Sequence, residues 1–406
     1  MRKVVIGPSE RLQQVGPTEL VALERIRNRM VRRGVEVIDL GRFDPDLGID
    51  PELLEYMQHA LAHPDALRLV KHDLADRFRA EAARWFALRF GVKLRPGTSV
   101  LPTAGIKQAV YFLASAVVNP GDPVGIADPS YGLYRAAAVF AGGIPQKVEL
   151  KSANDYLPNL ARLDSTKVRP RVLFLNYPHN PTSTPPDRAF FIDLVRWARR
   201  HNVLIVHDFA YGEIYFGSEP PISLLNIPGA RQVAVELHSF SFTYSLAGLQ
   251  LGFAVGNPDV LGALEAALAN LTSGINNFRL QVGMEAMRRY DAITRANNEE
   301  YGRRRAVVAK GLEALGWSFR KPVAGPFFWV HLPRRDDVRL ARRFLTRAHV
   351  LVAPGAAFGE EGEGYLRFSV ARRPETINAA FARLGRLWPQ RLRQMRDTWV
   401  PSGSKG

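Results

Sequence analysis

The chain of 406 residues contains no cysteine. This absence excludes disulfide frameworks, zinc sites built from cysteine and thiolate nucleophiles, and it fits a reducing compartment, so we expect a cytoplasmic protein. No run approaches the roughly 20 apolar residues that a membrane-spanning helix needs. The first fourteen residues are mixed polar and carry no apolar leader. We therefore expect a soluble protein without a membrane partner.

Acidic residues are fewer than basic ones, with 39 Asp and Glu against 55 Lys and Arg, which gives a formal net charge of +16. Such a charge attracts polyanions. The arginines are scattered over helical segments, however, and no aromatic-interleaved module of a known nucleic-acid type is present. The charge therefore favours a solvated surface or a small anionic ligand over specific nucleic-acid binding. No pattern of residues indicates a metal site.

Strand and helix signals alternate through the first two thirds of the chain. Residues 74–90 have helical apolar spacing, and three apolar runs follow at 171–176 (RVLFLN), 203–207 (VLIVH) and 232–237 (QVAVEL). The runs are rich in branched residues, as are strands buried on both faces, and they lie about thirty residues apart, the span of one strand-helix-strand unit. This pattern predicts an α/β fold with a mostly parallel sheet covered by helices.

The last third of the chain has a different pattern. A long helical region follows Gly256, and short strands at 327–331 and 365–369 then alternate with helices, as in an α+β unit. We predict three parts: a large domain at 46–290, a smaller domain at 1–45 plus 291–390, and a mobile C-terminal tail at 391–406.

Polar side chains stand where the predicted strands end. Asn180, Asp208 and Ser239 follow the three apolar runs, and Tyr211 lies close to Asp208 in the sequence. Each residue alone is as well explained by a turn or a helix cap. Their regular spacing predicts one crevice at the carboxyl edge of the sheet, where they could hold a polar aromatic ring.

Several segments together resemble the class I and II aminotransferases of pyridoxal-phosphate fold type I, over residues 39–387. They are PTAGIKQA at 102–109, PGDPV at 120–124, DPSYGLY at 128–134, NYPHNPT at 176–182, HDFAYGEI at 207–214, HSFSFTYSLAGLQLGFAVGN at 238–257, GPFFWV at 325–330 and YLRFSVA at 365–371. The resemblance implies a large domain with a seven-stranded, mostly parallel sheet, a smaller α+β domain and a homodimer.

The resemblance also implies roles for single residues. Asp208 would pair with the pyridine nitrogen of the cofactor, and Asn180 and Tyr211 would contact its phenolic oxygen. Tyr131 would stack on the ring, and Arg367 would bind a substrate carboxylate in a fork. The remaining implied cofactor contacts are Gly105, Ile106, Ser239, Ser241 and Gln250, and the remaining substrate contact is Gly41.

The sequence departs from the family pattern at its most important position. The family motif ends Ser-x-Ser-Lys, whereas this chain reads Ser239-Phe240-Ser241-Phe242. The family's lysine forms the Schiff base with pyridoxal phosphate and moves the proton of the substrate's α-carbon, and a benzyl side chain can do neither. We therefore do not expect ordinary transamination.

Other departures surround the expected phosphate site. Gln250 stands at the place of an arginine that pairs with the phosphate, and Ile106 replaces a hydroxyl residue, which leaves backbone N–H groups at a helix start. Ser183 stands where glycine commonly follows Asn-Pro-Thr. Where relatives carry a tyrosine lent by the partner subunit, this chain has Arg68, Lys71 and Asp73. Arg68 or Lys107 could restore the phosphate's counter-charge.

Two classes of function remain from this reading. The first is a repurposed biosynthetic enzyme of specialised metabolism, acting on an amino-acid-like or carboxylate substrate without a pyridoxal internal aldimine. Its candidate acid–base groups are Asp208, Tyr211, His238 and Tyr244. Asp208 leads this set, because burial without a pyridinium partner should raise its pKa.

The alternative is an enzyme that holds pyridoxal or pyridoxamine phosphate noncovalently, of the transaminase or lyase type, or a catalytically dead binding partner. In each case no covalent cofactor is expected. An ordinary aminotransferase remains only if Phe242 is an engineered replacement.

Overall fold

The computed structural model describes residues 6–69 and 72–388. Its strands are β1 (Ile38–Asp39), β2 (Val100–Thr103), β3 (Pro123–Asp128), β4 (Ile144–Glu149), β5 (Val172–Asn176), β6 (Leu204–Asp208), β7 (Ala234–Ser239), β8 (Gly252–Gly256), β9 (Phe327–His331), β10 (Val350–Leu351), β11 (Ala353–Pro354) and β12 (Tyr365–Ser369). Its α-helices are α1 (Glu10–Val15), α2 (Glu19–Arg32), α3 (Pro51–Ala62), α4 (His72–Phe90), α5 (Pro96–Ser99), α6 (Ile106–Val117), α7 (Leu133–Phe140), α8 (Leu160–Asp164), α9 (Arg188–His201), α10 (Ala230–Val233), α11 (Phe240–Thr243), α12 (Pro258–Leu271), α13 (Asn277–Arg288), α14 (Tyr290–Ala314), α15 (Asp337–Arg343) and α16 (Pro374–Leu387).

The large sheet has seven strands in the order β2-β8-β7-β6-β5-β3-β4. β8 runs antiparallel to both of its neighbours, and every other adjacent pair is parallel. The predicted α/β fold with a mostly parallel seven-stranded sheet is confirmed. The central strands β5, β6 and β7 correspond to the three apolar runs of the sequence.

Helices cover both faces of this sheet because alternate residues of each strand point to opposite sides. Leu173 and Leu175 of β5 pack in one core with α4, α9 and α13. Val172 and Phe174 of the same strand pack in a second core with α6, α7 and α12. The branched runs are therefore apolar throughout, since neither face of the strand meets water.

The strand ends differ slightly from the prediction. Asp208 and Ser239 are the last residues of β6 and β7 and do not lie beyond them. Backbone pairing continues through both residues, because Asp208 pairs with Leu237 and Ser239 pairs with Gly252 irrespective of side-chain polarity. Asn180 does lie in the loop after β5.

A third core lies around the three-stranded antiparallel sheet β11-β12-β9, beside the short parallel pair of β1 and β10. Phe328 of β9 and Leu366 of β12 meet Leu340 of α15 and Leu384 of α16 there. The strands predicted at 327–331 and 365–369 have these bounds in the structure. The domain boundaries at 45 and 290 stay a prediction, and the predicted tail at 391–406 lies outside the described residues.

Among residues 6–69 and 72–388, no helix is both long enough and apolar enough to cross a membrane.

Candidate active site

A cavity of about 500 Å³ opens at the carboxyl ends of β5, β6 and β7. Asn176, Asp208 and Ser239, the last residues of these three strands, all line it. The predicted residues that the structure brings into this cavity are Gly105, Ile106, Tyr131, Asn180, Asp208, Tyr211, Ser239, Ser241, Phe242, Gln250 and Arg367. The crevice predicted from strand spacing therefore exists, at the edge where parallel sheets bind ligands.

Asp208 is a buried carboxylate, 5% exposed, at the floor of the cavity. Its Oδ2 accepts a hydrogen bond from the hydroxyl of Tyr134 at 2.7 Å, and its Oδ1 accepts one from the backbone N–H of Ala210 at 2.9 Å. Burial raises the pKa of Asp208, although these two hydrogen bonds act in the opposite direction. The site thus holds an acid that would gain from a cationic partner.

Arg367 is a second buried charge, 5% exposed, on β12. Its Nη1 donates to Oδ1 of Asn180 at 2.6 Å, and its Nη2 donates to the carbonyl oxygen of Gly41 at 2.5 Å. Its Nε is buried and has no hydrogen-bond partner. Burial lowers the pKa of Arg367 to about 10, so the guanidinium is still charged at neutral pH.

Two phenylalanine rings hold the Arg367 side chain. The guanidinium carbon lies 4.2 Å from the ring centre of Phe327 and 4.6 Å from that of Phe358. Among the described residues, no carboxylate lies within ion-pair distance of this guanidinium. A buried cation without an anion is costly, and an anionic ligand at the free Nε would lower that cost.

Gly41 reaches Arg367 because its backbone lies against the next strand. A Cβ at Gly41 would lie 3.0 Å from the backbone nitrogen of Ala353 and from the carbonyl carbon of Val352. Only glycine therefore permits this approach without moving the neighbouring backbone.

An aromatic wall occupies the side of the cavity at residue 242. The ring of Phe242 stacks on Tyr211 with centroids 4.8 Å apart, and it lies 5.4 Å from the ring of Phe43. Tyr211 also approaches Asn180, whose Nδ2 lies 3.5 Å from the tyrosine hydroxyl. Burial raises the pKa of Tyr211, so its hydroxyl keeps its proton. Phe242 itself has no group that can bind or donate a proton.

The opposite end of the cavity lies at the start of α6. Gly105 has a φ of 80°, in the left-handed region, and the backbone N–H groups of the first turn of α6 follow it. Gln250 faces this turn, but its Nε2 donates to the carbonyl oxygen of Ala247 at 2.7 Å. Among the described residues that line the cavity, Lys107 is the only lysine. The end of the cavity at α6 therefore combines free backbone donors with one cation.

The structure does not bring His238 or Tyr244 into the cavity, so their prediction as acid–base groups is corrected. His238 points to the other face of β7, where its ring stacks on Phe253 at 4.8 Å and its Nε2 bonds Oε1 of Glu236 at 2.9 Å. Tyr244 is buried against Phe240 in the core beneath the sheet. Adjacent strand residues point to opposite faces, so Ser239 lines the cavity and His238 cannot.

The other departures from the family pattern lie beside the cavity or away from it. Ser183 has a φ of 57°, a conformation that favours glycine, and its hydroxyl accepts a hydrogen bond from the N–H of Phe327 at 2.9 Å. Arg68 is exposed and pairs with Asp65 at 2.7 Å. Neither Arg68 nor Asp73 lines the cavity, and Lys71 lies outside the described residues.

The sequence analysis gave no role to several cavity residues, among them Tyr134, Glu24, Arg42 and Phe43. Tyr134 is the last residue of the DPSYGLY segment at 128–134 and the second residue of α7, so the segment that contains Tyr131 also marked Tyr134. Glu24 lies far from every motif, and no local signal marks it. Across the described residues, no group of three His, Asp or Glu side chains could hold a metal ion.

Comparison with known proteins identifies the family. The sequence profile described as aminotransferase class I and II matches residues 35–384. The LL-diaminopimelate aminotransferase of Aquifex aeolicus is 35% identical over 381 residues, covering 93% of this chain and 98% of the relative. The LL-diaminopimelate aminotransferase 2 of Trichormus variabilis is 32% identical over 379 residues, covering 93% and 97%.

Solved structures agree with this assignment. Substrate-bound BacF of Bacillus subtilis superposes with a TM-score of 0.88 at 28% identity, covering 95% of this chain and 98% of BacF. The probable N-succinyldiaminopimelate aminotransferase of Thermus thermophilus gives a TM-score of 0.84 at 30% identity, covering 90% and 99%.

These comparisons overturn the first reading of the sequence. The prediction of a repurposed enzyme that works without a pyridoxal internal aldimine is wrong, because relatives that match 93% of the chain are named as aminotransferases. Those names also favour ordinary transamination, which Phe242 led us not to expect. The alternative, a transaminase-type enzyme that binds pyridoxal or pyridoxamine phosphate, agrees better. The family assignment, with pyridoxal phosphate as the expected cofactor, is confirmed: this chain belongs to the class I and II aminotransferases.

Proposed function

We propose that this chain binds pyridoxal phosphate or pyridoxamine phosphate without a covalent bond to residue 242, and that it acts on an amino acid as a transaminase-type enzyme. The observation that carries the proposal is Arg367, a buried guanidinium that lines the same cavity as Asp208 and whose Nε has no hydrogen-bond partner. A carboxylate binder beside a buried acid is the donor set that an amino acid and a pyridine ring together require.

The residues present fit the ring of the cofactor. Asp208 would hold the protonated ring nitrogen, and this cation would favour the charged form of a carboxylate whose pKa burial raises. Asn180 and Tyr211 would donate hydrogen bonds to the phenolic oxygen, since both side chains face the cavity. Tyr131 is 37% exposed at the cavity and offers a free ring face for stacking.

The phosphate would bind at the start of α6. Backbone N–H groups of that first turn, the hydroxyl groups of Ser239 and Ser241 and the ammonium of Lys107 supply the donors. Gln250 adds no positive charge. Phe242 cannot form a covalent bond to the cofactor, because its side chain carries no amine.

The chemistry then divides between cofactor and protein. When bound, the protonated pyridine ring draws electrons from the substrate's α-carbon. Arg367 orients the substrate by binding its α-carboxylate in a fork. Tyr211 keeps a proton on its Oη and holds it as a hydrogen-bond donor, and Phe43 and Phe242 exclude water from that side of the cavity.

The names of the relatives supply the first candidate substrate. We propose LL-diaminopimelate as an amino donor to be tested first, because several relatives that match 93% of the chain are named for it. We also propose a cytoplasmic homodimer with a role in biosynthesis.

The experiment that tests the proposal is a titration of the purified chain with pyridoxal phosphate and with pyridoxamine phosphate. Absorbance and fluorescence report binding, and gel filtration then removes unbound cofactor. We expect the chain to retain cofactor and to convert pyridoxal to pyridoxamine phosphate when LL-diaminopimelate is added. A chain that retains neither form would contradict the proposal.

A variant at residue 242 tests whether the missing amine limits the reaction. Phe242→Lys should form a covalent bond with pyridoxal phosphate that survives denaturation after borohydride reduction, and conversion should become faster. Phe242→Met is the matched control, because it removes the ring without adding an amine.

Phe242 also favours a second candidate function, a binding protein without turnover. Its stacking on Tyr211 closes the wall of the cavity where an amine would be needed. Cofactor retention without any conversion, restored by Phe242→Lys, would identify this second function.

A further inference from the structure

A pair of opposite charges lies in the wall of the same cavity, apart from Arg367 and Asp208. Nε of Arg42 is 3.4 Å from Oε1 of Glu24, and both residues line the cavity. The Arg42 side chain is 46% exposed and the Glu24 side chain is 25% exposed. The pair is therefore accessible from the cavity.

Neighbouring bonds hold both members of this pair in place. Oδ1 of Asp39 accepts hydrogen bonds from the backbone N–H groups of Gly41 and Arg42, both at 3.0 Å. Its Oδ2 pairs with Nη1 of Arg27 on α2 at 2.7 Å. Glu24 lies three residues before Arg27, on the same face of the helix. Asp39 thus fixes the backbone of Arg42 and the helix that carries Glu24.

The same segment also positions Arg367. Gly41 accepts a hydrogen bond from Arg367 through its carbonyl oxygen, and the carbonyl oxygen of Arg42 accepts one from the hydroxyl of Ser369 at 2.6 Å. Arg42 is the next residue in the chain after Gly41, whose carbonyl oxygen accepts the hydrogen bond from Arg367. A substrate bound at Arg367 therefore has a second charged anchor on the same wall.

Both members of the pair have side-chain atoms that could make further hydrogen bonds. Within the described part of the chain, the Nη groups of Arg42 have no protein acceptor, and Oε2 of Glu24 has no donor. A partly exposed ion pair of this kind stabilises a fold by about 1 kcal/mol or less. Exchanging it for contacts with a ligand would cost little.

We propose that Arg42 and Glu24 form a second substrate subsite, which binds the far end of the amino acid's side chain. An arginine fork suits a carboxylate and a glutamate suits an ammonium group, so the substrate carries both groups at that end. This inference rests on the proposed function, since it takes Arg367 as the site of the α-carboxylate. It adds to the proposed function two residues, Arg42 and Glu24, that would determine which amino acids bind.

The test compares three ligands on the full chain saturated with pyridoxamine phosphate, which has no carbonyl group to react with an amino acid. LL-diaminopimelate carries both distal groups, L-2-aminoheptanedioate lacks the distal ammonium and L-lysine lacks the distal carboxylate. Isothermal titration calorimetry measures the dissociation constants. We expect LL-diaminopimelate to bind about tenfold more tightly than either analogue, as one charged hydrogen bond contributes.

Two substitutions separate the roles of the residues. Glu24→Gln should abolish the preference for LL-diaminopimelate over L-2-aminoheptanedioate and leave the preference over L-lysine. Arg42→Gln should do the reverse. Arg29→Gln on the exposed side of α2 and Glu219→Gln in an exposed loop are the controls, because they change the same charges outside the cavity.

Equal binding of all three ligands to the wild type and to both variants would overturn the subsite, while retained pyridoxamine phosphate would leave the proposed function standing. Failure to retain pyridoxamine phosphate would instead overturn the proposed function, and the subsite with it.

Discussion

Asp208 shows how one residue serves the site at the expense of the fold. Its carboxylate is buried, and its hydrogen bonds to Tyr134 and Ala210 do not offset the burial, so its pKa is raised. A carboxyl group with a raised pKa binds its proton more tightly in the folded chain than in the unfolded chain. The stability of the folded chain therefore falls as pH rises between the two pKa values.

The substitution Asp208→Asn should remove this pH dependence. In the cofactor-free protein, we expect the melting temperature of the variant to exceed that of the wild type by a margin that grows as pH rises above about 4, the ordinary pKa of an aspartate carboxyl group. Differential scanning fluorimetry measures it. Asp193→Asn, at an exposed carboxylate on α9, is the control. A difference in melting temperature between wild type and variant that does not change with pH would refute the assignment of a raised pKa.

Arg367 should control ligand binding without controlling cofactor binding. Arg367→Gln removes a charged fork worth roughly 3 kcal/mol, so the affinity for an amino-acid carboxylate should fall about a hundredfold while pyridoxamine phosphate is retained. Calorimetry measures the first effect and gel filtration the second. Arg29→Gln serves as control.

The charge state of Arg367 also sets a pH range. Its pKa of about 10 means that the charged form is present at lower pH and is lost as pH rises through that value. The affinity for the carboxylate should therefore be constant from about pH 6 to pH 8. A steep fall within that range would show that another group binds the carboxylate.

At the scale of elements, strands β6 and β7 are joined below the sheet by a buried charged cluster. Glu236 of β7 accepts hydrogen bonds from His207 of β6 at 2.9 Å and from His238 at 2.9 Å. It also accepts bonds from the Ser223 hydroxyl at 2.7 Å and from the Leu224 N–H at 2.8 Å. Burial alone would raise the pKa of Glu236, but the two histidines outweigh it and lower that pKa.

Breaking this cluster should destabilise the sheet that carries the site. Glu236→Gln places an amide donor against groups that donate, so we expect the free energy of unfolding to fall by about 3–5 kcal/mol. Urea denaturation followed by fluorescence measures it. Glu219→Gln is the control, because Glu219 is exposed in a loop. A change below about 1 kcal/mol would mean that the cluster does not stabilise the fold.

At the scale of the molecule, the cavity is lined by residues of both the seven-stranded and the three-stranded sheet. Asp208 and Ser239 come from the seven-stranded sheet, whereas Arg367 comes from the three-stranded sheet and contacts Asn180 across the cavity. Residues far apart in the chain therefore form one site, and relative movement of the two parts would change the distance between its charged groups.

We expect two copies of the chain to associate, as the family resemblance implies. Sedimentation equilibrium should give twice the chain mass of 45.3 kDa at micromolar concentration. Leu67 and Leu69 are 71% and 64% exposed, and Leu67→Asp with Leu69→Asp should weaken an association through that surface. Leu88→Asp, at a similarly exposed leucine on α4, tests the effect of the charge alone. A mass equal to one chain for the wild type would contradict the dimer.

The sequence by itself determined the sheet and the position of the site. Strands buried on both faces need continuous branched runs, and about thirty residues separate one parallel strand from the next, so both signals are local. Once the strands were predicted, the polar residues at their ends could be placed at one edge of the sheet. The absence of an amine at Phe242 is a property of the residue type and can be recognised without the fold.

Only the tertiary structure decided which side chains meet. His238 and Ser239 are neighbours in the sequence, but the pleat of β7 sends one to the core and the other to the cavity. The pairing of Glu24 with Arg42 depends on how α2 packs against the segment after β1. Such contacts join elements that are distant in the sequence. The charges meet because these helices and strands pack against each other, and the secondary-structure propensity of each segment does not determine that packing.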